Sequence, residues 1–225
     1  NINSEENHVS LNKLISGNVG IQFFAAWIGS RSKYGSPLKR GLRLIDTYNQ
    51  MIYNANHILK PILKYEDIES IKENQLGTIL TIEGGEVLEG ELSNLRILYK
   101  LGVRLMTLTW NYRNEIGDGV METSSQAGLS IFGIDVVKEM NRLGMIIDVS
   151  HLSKKGIWDV ISLSKDPIIA SHSNAAALCN HPRNLSDDQI KAIHDKKGII
   201  GINFYPSFLS KDKASIDDII KHIEY

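Results

Sequence analysis

Two histidines in this chain follow a serine at the end of an apolar, β-branched run. The runs are Gly-Met-Ile-Ile-Asp-Val-Ser-His, ending at His151, and Pro-Ile-Ile-Ala-Ser-His, ending at His172. A short buried run that stops at a polar residue reads as a parallel strand delivering that residue to its carboxyl end. Such ends are where α/β folds keep metals and chemistry. A carboxylate is placed in the same way: Glu83 ends the run Thr-Ile-Leu-Thr-Ile-Glu and precedes Gly84 and Gly85. Neutral imidazole with carboxylate is the usual ligand set for Zn²⁺ and similar ions. Strand alternation gives Glu83 the face of Thr81 and Ile79, His151 that of Val149 and Ile147, and His172 that of Ala170 and Ile168. Taken singly, each has an ordinary reading: a Glu that caps a helix or pairs with a base, a His satisfied in the core. Taken together, Glu83, His151 and His172 are expected to be metal ligands and catalytic groups.

Other residues fall around them. Arg183 lies in His-Pro-Arg-Asn, in the loop after the His172 run. There it can grip a carboxylate bidentately, or pair on the surface with Asp187 or Asp188. Trp27 and Trp110 end their runs and would wall the mouth of a site or pack in the core. His181 shares the Arg183 loop. His8, His57, His194 and His222 fall in terminal or helical segments and are expected to be solvated.

The elements that must position these residues alternate. Strand-like runs occupy 19–27, 78–83, 104–110, 145–151, 167–172 and 199–205. Helical patterns lie at 38–63, 92–101, 133–143, 154–163 and 186–194, with another at 215–223. Ser186 can cap its helix, with Asp187 and Asp188 at the positive end of the dipole. Alternation of this kind means parallel strands with helical crossovers. Polar groups at the ends of successive strands (Glu83, Trp110, His151, His172 and Tyr205) favour a (β/α)8 TIM barrel, which gathers all strand ends at one mouth, over an open sheet. No GxGxxG follows a strand, against a dinucleotide fold. Six strands are visible where a barrel needs eight.

Composition narrows the partners. The chain has 225 residues, 42% hydrophobic and 23% charged, with net charge −1. That is an ordinary globular composition, read as one domain over residues 1–225. No basic block argues for nucleic acid, and no apolar run reaches the ~20 residues of a membrane helix. A single Cys179 fits a reducing compartment, so a cytoplasmic location is expected. A homodimer is compatible with this reading.

In order, the motifs are Glu-Gly-Gly, Leu-Thr-Trp-Asn, Glu-Met-Asn-Arg-Leu-Gly-Met-Ile-Ile-Asp-Val-Ser-His, Ser-His-Ser-Asn-Ala, His-Pro-Arg-Asn and Ile-Asn-Phe-Tyr. In sequence and spacing they resemble the membrane dipeptidase (renal dipeptidase) family of metallopeptidases. The resemblance implies a (β/α)8 barrel holding two zinc ions and hydrolysing dipeptides through a metal-bridging hydroxide. It further implies that Glu83 bridges both metals and that His151 and His172 bind one of them. Arg183 would hold the substrate's C-terminal carboxylate, and Tyr205 would line the pocket.

This chain departs from the family in three places. Trp110 stands where mammalian members carry a His, as in some bacterial-type members, leaving Asn111 as a substitute contact to the oxyanion. The family's first-strand His-x-Asp pair is not found; His8 is followed by Val9 and Ser10. The chain also stops at Tyr225, before the eighth-strand Gly-Ser-Asp-Phe-Asp motif. The expectation is a record without the first and eighth strands, inactive alone. Alternatives are another barrel metallohydrolase, of deaminase or lactonase type, and a truncated barrel without activity.

Overall fold

A computed structural model describes residues 2, 4–29, 35–125 and 127–225. Its frame is one parallel sheet built on β3 (Leu76–Glu83), which is buried along almost its whole length. One edge of β3 pairs with β1 (Ile21–Trp27), from Ile21 opposite Gly77 to Trp27 opposite Glu83. The other edge is shared. β2 (Leu59–Pro61) pairs with its first three residues and β4 (Leu105–Thr107) with its last three. The sheet continues through β5 (Ile146–Asp148), β6 (Ile168–Ala170) and β7 (Ile199–Ile200), every pairing parallel. The path β1-β3-β4-β5-β6-β7 is a curled half-barrel of α/β class.

Helices cover the outer face. Beyond α1 (Leu11–Ser16), these are α2 (Pro37–Asn54), α3 (Tyr65–Glu69), α4 (Leu92–Lys100), α5 (Ile131–Leu143), α6 (Lys154–Leu163) and α7 (Asp187–Asp195). Two more, α8 (Pro206–Leu209) and α9 (Ile216–Glu224), follow β7. Ser10, Ser36, Ser130, Ser153, Ser186 and Ser215 each accept a hydrogen bond from the backbone three residues on. This satisfies an amide that the first turn leaves without a partner. Ser186 caps its helix as the sequence suggests, and Gln189 completes a capping box that the sequence reading did not name.

The main core lies between helices and sheet. Leu80, Ile82, Met106, Leu108, Ile147, Val149, Ile168 and Ala170 point outward against Leu95, Leu98, Val136, Val137, Met140, Ile157, Val160 and Ile193. The alternate residues point inward. Phe23, Ala25, Thr81, Glu83, Leu105, Thr107, Asp148, Ser171 and His172 line a cavity of about 370 Å³ on the concave side.

Three elements differ from the sequence reading. The helix at 38–63 stops at Asn54, and Leu59–Pro61 forms β2. Leu59 is buried in a smaller cluster with Leu76, and Pro61 takes an edge position where its missing amide costs nothing. The described residues therefore contain seven strands, not six. The strand at 199–205 ends at Ile200, because Gly201 and Asn203 bond back to the preceding loop and Pro206 opens α8. The strand at 104–110 ends at Thr107, so Trp110 stands in the loop beyond it.

Candidate metal centre

β3 carries Glu83 as its last residue, on the inner face with Thr81, as alternation requires. His151 and His172 arrive differently. β5 ends at Asp148 and β6 at Ala170, so both histidines lie in loops. Val149 and Ile147 point into the outer core, and continued alternation would have sent His151 there too. A left-handed backbone at His151, φ 68°, turns the side chain inward instead. Its carbonyl is held by the Val120 amide at 2.8 Å and the Thr109 hydroxyl at 3.2 Å. A non-glycine residue in this region is strained by about 1–2 kcal/mol and persists where surrounding contacts over-determine it.

The three side chains converge. His151 Nε2 lies 3.3 Å and His172 Nε2 3.6 Å from Glu83 Oε1. The two Nε2 atoms are 2.8 Å apart. One ligand atom from each residue lies within 4.8 Å of the others.

The hydrogen bonds on the far side of each ring decide what these atoms are. His151 Nδ1 is 2.8 Å from Asn111 Oδ1, an oxygen that only accepts. His172 Nδ1 is 2.7 Å from Ser171 Oγ, whose own proton goes to Asp148 Oδ2 at 2.6 Å. These partners favour a proton on Nδ1 of each ring, which leaves each Nε2 to face Glu83. Burial depresses both: His151 is held down at about 4, the approach of Glu83 notwithstanding, and His172 is lowered despite Asp148. Two imidazole nitrogens and a carboxylate oxygen thus face one point. The donor set fits a divalent metal of borderline softness. Among the described residues, no second group of three such side chains converges.

Asp148 is the residue the sequence reading passes over. It is fully buried, and its carboxylate accepts from the Ser150 and Ser171 amides and the Thr107 and Ser171 hydroxyls, at 2.6–2.9 Å. Burial pushes its pKa up, but His172 and the Ser171 bonds outweigh it and the net shift is downward. An acid inside an apolar run is the signal: burial is tolerated only with partners. Asn174 and Asn203 were passed over as well. They bond reciprocally, Nδ2 of Asn174 to the Asn203 carbonyl at 3.0 Å and the Asn203 amide to Asn174 Oδ1 at 2.8 Å, tying the loop after β6 to that after β7.

The remaining residues take varied places. Arg183 is 6% exposed, not a surface partner of Asp187 or Asp188. One of its amino groups donates to the His172 carbonyl at 3.1 Å, while its buried Nε has no hydrogen-bond partner. Burial lowers its pKa to about 10, with Asp148 and Glu83 opposing, so it stays charged. Trp110 stands edge-on to Trp27 at 5.3 Å and 6.2 Å from the His151 ring, a wall beside the cluster. Asn111 is committed to His151. Tyr205 is 59% exposed and stacks on Phe208, over which Arg183 also lies. His222, expected in solvent, is buried: Nδ1 accepts from the Ala175 amide and Nε2 donates to the Leu209 carbonyl. It joins α9 to the loop after β6, which helical spacing alone does not reveal.

Comparison with known proteins follows the same lines. The model of the membrane dipeptidase family, peptidase family M19, matches residues 1–225. An uncharacterised dipeptidase of Schizosaccharomyces pombe is 34% identical over 238 residues, spanning 98% of this chain and 57% of that protein. An uncharacterised protein from the pqqA 5′ region of Klebsiella pneumoniae is 37% identical over 202 residues, 85% of this chain and 74% of that protein. The crystal structure of a metallopeptidase from Rhodobacter sphaeroides, liganded with a phosphinate mimic of the dipeptide L-Ala-D-Ala, matches with a TM-score of 0.90 at 25% identity. The match covers 98% of this chain and 73% of that one. With its half-barrel and its Glu-His-His cluster in place, the chain belongs to the membrane dipeptidase family of metallopeptidases.

Proposed function

We propose that these residues form part of a zinc-dependent dipeptidase site, in which Glu83, His151 and His172 hold metal and Arg183 holds the substrate's C-terminal carboxylate. The observation that carries this reading is the convergence of two Nε2 atoms on the Glu83 carboxylate. Zinc held by Glu83, His151 and His172 would supply activated water and polarise the scissile carbonyl at neutral pH.

The chain's own residues do the rest. Asn111 and Ser171 orient the imidazoles. Trp27 and Trp110 cover one side of the cluster and exclude bulk water. Arg183, tethered to the His172 carbonyl, keeps a buried charged donor free beside the metal ligands. A dipeptide, whose carboxylate lies one residue from the scissile bond, is the substrate class that fits this closeness. The dipeptide mimic bound to the Rhodobacter relative supports the same class.

The chain spans 57% of the fission yeast relative, so activity is tested on a chain extended to that length. Expected is hydrolysis of dipeptides that stops on chelation, returns with Zn²⁺ and is abolished by Glu83→Gln. Turnover of lactones or aminopurines but not dipeptides would replace this reading with another metallohydrolase.

A further inference from the structure

We propose that Asp148, acting through Ser171, is the positioning group that fixes the tautomer of His172 and so keeps its Nε2 free for a cation. The proposal deepens the metal-centre reading and rests on it only for its second readout. Its basis is a directed chain of hydrogen bonds. Asp148 Oδ1 accepts two backbone amides, from Ser150 and Ser171, each at 2.9 Å. Asp148 Oδ2 accepts two hydroxyls, Thr107 at 2.7 Å and Ser171 at 2.6 Å. Four donors occupy the two oxygens of Asp148, and the Ser171 hydroxyl is one of them. The Ser171 oxygen is then left only to accept, and it accepts from His172 Nδ1 at 2.7 Å. The ring proton is thereby drawn to the side away from Glu83.

The same geometry makes Asp148→Asn an informative variant. The two backbone amides demand an acceptor at the Oδ1 position, so the new side chain must turn its oxygen there. Its NH₂ group then faces Thr107 and Ser171 and donates to both hydroxyls. Ser171 has lost its acceptor at Asp148, and His172 Nδ1 at 2.7 Å, closer than the Ser150 hydroxyl at 3.4 Å, takes its proton. His172 is forced into the opposite tautomer, with hydrogen on Nε2. One atom is exchanged, and the direction of the chain reverses. Losing a hydrogen-bond partner that orients a metal-binding imidazole typically changes metal affinity by about 10- to 100-fold.

The experiment uses the 225-residue chain labelled with ¹⁵N. Long-range ¹H–¹⁵N spectra of the metal-free protein at neutral pH report which ring nitrogen of His172 is protonated. Expected is protonation on Nδ1 in the wild type and in Ser171→Thr, on Nε2 in Asp148→Asn, and a mixture in Ser171→Ala. Calorimetric titration with Zn²⁺ should then show about 10- to 100-fold weaker binding for Asp148→Asn, with Ser171→Thr close to wild type. If Asp148→Asn does not fold, Ser171→Ala carries the test, and a single Nδ1–H tautomer there overturns the proposal. The proposal also falls if Asp148→Asn keeps the wild-type tautomer and affinity while Glu83→Gln and His151→Asn abolish Zn²⁺ binding. That result leaves the metal centre standing. A reversed tautomer with unchanged Zn²⁺ affinity would overturn both, because His172 Nε2 would then not be a ligand.

Discussion

His151 combines a left-handed backbone with an imidazole that burial holds at about 4, against an ordinary 6.5. Between those values the unfolded chain binds a proton that the folded chain refuses, so stability falls as pH drops through the window. A shift of this size corresponds to about 3 kcal/mol. His172 is shifted the same way and adds to the loss, and Asp148, with its lowered pKa, adds a further loss below 3.8. We expect the urea midpoint of the metal-free protein to fall between pH 6.5 and 4, and His151→Asn to flatten much of that slope. A midpoint constant across the window would show that His151 charges freely in the fold. Arg183 makes the second prediction at this scale. On the dipeptidase proposal, in a chain extended to the length of the fission yeast relative, Arg183→Ala should weaken dipeptide use by about 1.5–3 kcal/mol, mainly through binding. Amidating the dipeptide's C-terminus should cost the wild type as much and the variant little more. Equal turnover of amidated and free dipeptides by the wild type would remove Arg183 from this role.

At the scale of elements, the site depends on short strands held close together. β5, β6 and β7 are two or three residues long, so loop contacts rather than ladders set the positions of the histidines. Gly201 is one such contact. Its amide bonds to the Ala170 carbonyl, its carbonyl takes the Ser173 amide, and a Cβ here would lie 2.1 Å from the Ser171 carbonyl oxygen. Backbone on that side cannot swing away as a flexible side chain would. Gly201→Ala should therefore cost about 1–3 kcal/mol in unfolding and move Ser171 and His172 together. Denaturant unfolding beside Zn²⁺ titration checks this; a variant with wild-type midpoint and affinity would show that β7 yields without disturbing the site.

For the whole molecule, one candidate metal-binding triad sets the expected stoichiometry. Glu83, His151 and His172 are the single convergent group among the described residues, so a protein of these 225 residues should hold about one metal per chain. Elemental analysis after dialysis measures it directly, with a dipeptide assay alongside that we expect to show no turnover. Two tightly held metals with clear turnover would mean that other side chains of this chain complete a second site. No helix among the described residues is long and apolar enough to cross a membrane.

The sequence alone determined the parallel α/β class, the Ser186 cap and the three side chains that converge in the candidate metal centre. Each of these is written in local patterning: apolar runs that stop at a polar residue, a serine before a helical period, a glutamate at the end of a strand. Tertiary structure decided what no local pattern encodes. Alternation in the β5 run points His151 toward the outer core, and only the loop of Thr109 and Val120 turns it inward. Nothing in the spacing shows that Asp148 bonds across to Ser171, that Asn111 serves His151, or that His222 is a buried strut. Those contacts join residues tens of positions apart. Hydrogen-bond direction, and with it which ring nitrogen faces a metal, follows from three-dimensional neighbours rather than from order along the chain.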